Sequence, residues 1–79
     1  MAGEELTKRF GALVRRMRME NGLSQERLGK LSGLHRIYVG AIERAERTPS
    51  IVQAERLARA LGTTLSEMFA EVARESDAS

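Results

Sequence analysis

Residues 25–44, QERLGKLSGLHRIYVGAIER, decide how the rest of the chain is read. Leu28 and Leu31 recur at helical spacing and predict the inner face of a short helix over 25–32. Gly33 follows Ser32, and glycine enters the left-handed region cheaply at a helix end. Leu34 is an apolar plug for the turn, and Val39 and Ile42 supply the inner face of a second helix over 36–44. Gly29 stands where the second helix would cross the first closely, so that a larger side chain would clash. Two short helices around a turn containing glycine make a helix-turn-helix pattern.

The outward side of the second helix is equally informative. With Val39 and Ile42 centring the buried side, a turn of about 100° per residue points Ile37, Gly40, Ala41 and Arg44 away from it and puts Arg36, Tyr38 and Glu43 on the flanks. A face meant only for solvent carries Lys, Glu and Gln. This one offers an arginine, an aliphatic, a phenol and two residues with almost no side chain. Gly40 inside a helix costs about 1 kcal/mol relative to Ala, which points to a close approach by another body. An arginine fork binds O6 and N7 of guanine in the major groove, and apolar groups pack on thymine methyls. Arg36 is therefore the candidate for base readout, with Ile37 and Ala41 for methyl contact and Gly40 for close approach. His35, at the helix start, is a candidate for a further direct contact. Ser24, Tyr38 and Arg44 are candidates for contacts to the DNA backbone.

The run SQERLGKLSGLHRIYVGAIER resembles the helix-turn-helix of the XRE or phage-repressor/Cro-like family, and the resemblance extends from about Leu6 to Val72. Within it, SGLHRIYVGAIERAERTPS is most similar to the small controller proteins of restriction–modification systems. The resemblance implies an all-α, compact five-helix bundle of the lambda-repressor-like DNA-binding type. It places Gln25 on a DNA phosphate and, through the controller proteins, Arg47 on the backbone or minor groove. It also implies an ion pair between Arg18 and Glu43 that locks the first helix to the reading helix. Members often carry Ser, Thr or Asp where this chain has His35, and histidine is the poorer cap, so a weaker helix start is expected there. The function implied is sequence-specific transcriptional regulation by a homodimer on an inverted-repeat operator, with control of a restriction endonuclease gene. A general repressor or an antitoxin is the alternative within that class. A protein-interaction module without DNA binding is the alternative from another.

Composition bounds these readings. The 79 residues allow one domain and one small core. There is no apolar run of membrane length, no apolar leader and no cysteine, which predicts a cytoplasmic bacterial protein, associated with the nucleoid when bound, with no membrane partner. The only histidine, His35, has no cysteine or carboxylate at ligand spacing, so no metal is expected. No nucleophile–base pair and no glycine-rich phosphate loop is present, so neither an enzyme, a cofactor nor a small-molecule ligand is expected. Net charge is only +2, but residues 8–47 carry a balance of +6 and residues 48–79 one of −2. Such asymmetry suits a DNA face and a separate partner face.

Three further helices complete the bundle. Residues 1–5 read as frayed, and Leu6, Phe10, Leu13, Val14 and Met17 predict an amphipathic helix over about 5–21. After Pro49, Ser50 and Gln53 have capping-box spacing ahead of a helix over 51–61. Thr64 and Glu67 repeat that spacing ahead of a helix over 65–74, and residues 75–79 read as a polar tail. Met68, Phe69 and Val72 offer more apolar surface than one small core needs, so they are expected at a twofold dimer interface, with Ile51 and Val52 contributing.

Overall fold

Polar residues just ahead of the helices satisfy backbone N–H groups that a helix start leaves without partners. The computed structural model describes residues 2–78. Its helices are α1 (Gly3–Glu20), α2 (Gln25–Ser32), α3 (Arg36–Glu43), α4 (Ile51–Ala60) and α5 (Leu65–Ala78), with no strand among the described residues. The Ser24 hydroxyl accepts from the Arg27 N–H at 3.0 Å. Ser50 and Gln53 form a reciprocal capping box, at 3.1 and 2.9 Å. Thr64 accepts from the Glu67 N–H, but the Glu67 carboxylate takes the Thr63 hydroxyl, so the second capping box is only half made.

Both chain ends are more helical than expected. α1 begins at Gly3, which places Glu4 and Glu5 in its first turn, where the helix dipole favours negative charge. α5 runs through the expected tail to Ala78. Glu75, the first residue of that tail, accepts from Arg16 of α1 at 2.7 Å, and just before it Glu71 is bonded by Arg74 and by Arg16 at 3.1 Å. Arg74 first and Arg16 second hold the Glu71 carboxyl below its ordinary value. Ser79, the last residue of the expected tail, lies outside the described residues.

The core joins all five helices. Leu13 and Val14 of α1, Leu28 of α2, Val39 and Ile42 of α3, Leu57 of α4, and Met68 and Val72 of α5 are all at most 2% exposed. Two glycines set how close the helices come. A Cβ on Gly11 would lie 2.3 Å from the Ile42 carbonyl oxygen, where α1 meets α3, and one on Gly29 2.5 Å from that of Leu34. The close crossing expected at Gly29 is thus a backbone contact, and Gly11 makes a second one.

Three expectations are corrected here. Leu31 is 47% exposed. In a helix of only two turns, the position four residues after Leu28 faces the core more squarely than the position three after it, so Ser32 is buried instead. The Ser32 hydroxyl donates back to the Leu28 carbonyl at 2.7 Å, which removes the cost of burying it. Met68 and Val72, expected at a dimer interface, are each 1% exposed and are used up in the chain's own core.

Candidate nucleic-acid interface

The turn between α2 and α3 sets the angle of the candidate reading helix. Gly33 ends α2 at φ 75°, in the left-handed region. Leu34 then donates its N–H to the Gly29 carbonyl at 2.9 Å and packs against the core. His35 caps α3 after all: its Nδ1 accepts from the Ile37 N–H at 3.1 Å. An unprotonated ring nitrogen accepts where family members offer a side-chain oxygen, so the cap at the start of α3 is made. The hydrogen of the neutral ring is then on Nε2.

Behind the reading helix lies a charged network. Arg18 donates to Glu43 through Nε at 2.7 Å and Nη2 at 3.1 Å, and through Nη1 to the Leu23 carbonyl at 2.8 Å. The two side chains are 12% and 2% exposed. The Gln25 amide also donates to the same carboxylate, at 3.1 Å. Glu43 therefore joins the end of α1, the start of α2 and the end of α3. No buried side-chain N or O lacks a partner among the described residues.

The outer side is only partly as expected. Arg36 and Ile37 stand out: the Arg36 side chain is 62% exposed and Ile37 is 68% exposed. Ala41 is half-buried beside them. Gly40 does not face outward. It is buried, and a Cβ there would lie 3.0 Å from Arg44 Nη1 and 3.4 Å from the Gln25 amide. Its missing side chain makes room for Gln25 and Arg44. Tyr38 is also placed differently: its hydroxyl donates to Gln53 Oε1 at 2.8 Å, the oxygen that closes the α4 cap. A phenol has one hydrogen to give, and in the DNA-free chain Tyr38 uses it to tie α3 to α4.

The loop after α3 carries the remaining cations. Arg44 meets Glu46 twice, through Nε and Nη2, at 3.1 Å each. That hydrogen bond holds the Glu46 carboxyl below and the Arg44 guanidinium above their ordinary values. Arg47 is exposed and makes no ion pair among the described residues, and the Ser24 turn is exposed on the α2 side. Ala45 sits at φ 62°, the only positive φ among the described residues other than glycine. The Glu46 N–H returns to Ala41 at 2.8 Å and the Ala45 N–H to Ile42 at 3.0 Å, which closes the helix end as a Schellman turn.

An apolar surface lies elsewhere on the molecule. Ile51 is 77%, Val52 61%, Phe69 43% and Leu6 38% exposed, and Leu6, Phe10, Pro49, Ile51 and Phe69 share one open groove. Phe10 and Phe69 stack there, tilted, with ring centres 5.8 Å apart.

Sequence reasoning missed Glu26, and it read Gln53 only as a cap. Glu26 Oε2 lies 3.3 Å from Arg36 Nη1, and Gln53 is the partner of Tyr38. Neither pair falls at helical spacing, since each crosses a turn. A lone acid among the basic residues flanking the turn was the only signal for Glu26.

Residues 14–68 match the helix-turn-helix family model. The control protein C.SmaI of Serratia marcescens is 46% identical over 56 residues, 71% of this chain and 67% of that protein. The control protein C.MunI of Mycoplasma sp is 38% identical over 68 residues, 85% of this chain and 92% of that protein. The crystal structure of the restriction-modification controller protein C.AhdI from Aeromonas hydrophila matches with a TM-score of 0.77 at 46% identity, covering 80% of this chain and 96% of that one. The chain belongs to the helix-turn-helix family, of XRE-like type, and is a DNA-binding regulator.

Proposed function

We propose that this chain is a restriction–modification controller protein, a homodimer that reads an inverted-repeat operator and regulates transcription from it in the bacterial cytoplasm. The observation that carries the reading is the first turn of α3. Arg36 and Ile37 project from a helix whose opposite side is fully buried, and nothing in the fold uses Ile37 at 68% exposure. In this reading Arg36 takes a guanine, Ile37 and Ala41 meet thymine methyls, and His35 offers its Nε2 hydrogen at the same edge. Gln25, held by Glu43, joins Arg44, Arg47 and the Ser24 turn on the phosphates. The likeness to three controller proteins supports the assignment to restriction–modification systems.

Two observations support the dimer. The principal extents are 32 × 22 × 20 Å, so one copy reaches a single half-site, whereas twofold readers span half-sites about 34 Å apart. The groove at Leu6, Ile51 and Phe69, continued by Val52 next along α4, gathers several exposed apolar side chains in one place. With Met68 and Val72 in the core, the proposed interface is Ile51, Val52 and Phe69, extended by Leu6.

The test is selection of bound duplexes from a random pool at about physiological salt, where non-specific binding is weak. An enriched inverted repeat is expected, and Ile51→Asp with Phe69→Glu should leave a folded monomer that loses it. Enrichment of a single half-site by the unaltered chain would refute the dimer. No enrichment by a folded protein would refute the operator reader.

A further inference from the structure

A carboxylate on a surface that meets a polyanion repels it, and Glu26 is such a carboxylate. It stands in the first turn of α2, at the rim of the open groove between α2 and α3, with Lys30, His35 and Arg36 on the same rim. Its oxygens are divided. Oε2 accepts from Arg36 Nη1 at 3.3 Å, and Oε1 lies 3.6 Å from Lys30 Nζ. The side chains of Glu26 and Arg36 are 56% and 62% exposed, so the pair adds little to folding. A negative charge at a helix start is favourable, but that benefit needs only an acid in the first turn and does not call for contact with a residue of the next helix.

Arg36 has two ways to meet DNA. A free arginine at the edge of a groove reaches phosphates, which are numerous and identical at every sequence. An arginine that reads guanine must present its fork in one orientation. Glu26 occupies one edge of the Arg36 guanidinium and repels any phosphate that would compete for it. The other nitrogens are left for a base.

We infer that Glu26 is the positioning residue for Arg36: its carboxylate holds the guanidinium off the phosphates and oriented for base edges. Glu26 thereby sets how well the protein distinguishes its operator from other DNA. This rests on the reading of Arg36 as the base-contacting residue. Desolvation by DNA strengthens the contact, since the solvent that screens it in the free protein is displaced.

The experiment measures binding of Glu26→Gln to the enriched duplex and to a random duplex of equal length, in the unaltered chain and in Arg36→Ala. Glutamine preserves shape and removes the charge, and the exposed site makes normal folding the expected result of a thermal melt. Random-duplex affinity should rise severalfold, since one repelling charge is gone. Operator affinity should stay or fall, so the ratio drops by about tenfold, within the range of one bidentate arginine contact. In the Arg36→Ala background Glu26→Gln should leave the ratio unchanged. Equal rises on both duplexes, while Arg36→Ala alone still lowers the ratio, would overturn the positioning role and leave the readout standing. A ratio drop of the same size in the Arg36→Ala background would also overturn it, and would place Glu26 on a base directly. Equal losses on both duplexes from Arg36→Ala would remove the readout, and the inference with it.

Discussion

At its C-terminal end α3 is held by Arg18 and Glu43, and at its N-terminal end by Glu26 and Arg36. The chemistry is the same and the surroundings are not. The first pair is bidentate, at 2.7 and 3.1 Å, with side chains 12% and 2% exposed. The second is a single contact at 3.3 Å between side chains that are 62% and 56% exposed. Removing one partner of a buried pair strands a charge without water, so such a pair determines how the helices meet. A solvated pair adds little to folding, so it leaves the helix packing untouched and bears only on how the arginine is oriented. One end of the reading helix is anchored and the other is adjustable.

Breaking the anchored end should have the largest effect. Arg18→Ala or Glu43→Ala is expected to cost about 3–5 kcal/mol in urea unfolding. That is a large part of the stability of a small domain. The double change to Arg18→Met with Glu43→Leu should cost less than either single change, because no charge is left alone. A single change as mild as that of an exposed pair would erase the distinction between the two ends.

A smaller effect sharpens the anchored end. Ala45 closes α3 at φ 62°, a conformation that disfavours any residue with a Cβ. Ala45→Gly should raise stability by up to about 1 kcal/mol, read as a higher melting temperature. A lower one would mean that the methyl group contributes packing that outweighs the strain.

The smallest expected effect tests the solvated character of the loop beside that end. The hydrogen bond from Arg44 holds the Glu46 carboxyl below its ordinary value of 4.5. A lowered carboxyl contributes stability that is present above its ordinary value and is lost as pH falls through the lowered one. The loss should therefore lie below about pH 4.5 and vanish in Arg44→Gln. Titration of the Glu46 carboxyl by NMR checks it: an unchanged midpoint in Arg44→Gln would remove the pair from the account.

Much of this molecule was legible because its signals are local. The helix-turn-helix rests on apolar residues at helical spacing and on Gly33, and both depend only on near neighbours. Caps at Ser24 and Ser50 are equally local. Apart from Leu31, which a local choice of helix face misplaced, the errors came where a residue's surroundings belong to another part of the chain. The apolar stripe of α5 is real, but spacing does not say whether Met68 and Val72 face the chain's own core or a partner. Gly40 was placed on the outer side by its angle, yet the long side chains of Gln25 and Arg44 fold over it. Tyr38 reads as a free phenol until Gln53 of the next helix is beside it.

The amino-acid sequence alone determined the kind of fold, the order of the helices and the position of the candidate reading helix, because periodicity, caps and turns are written within a few residues of where they act. Tertiary structure alone decided how deeply the expected Arg18–Glu43 pair is buried, which apolar residues remain uncovered and which side chains cross a turn to meet. Those outcomes depend on residues far apart in the chain coming within bonding distance: Arg18 reaches Glu43 across 25 positions, and Glu26 reaches Arg36 across 10.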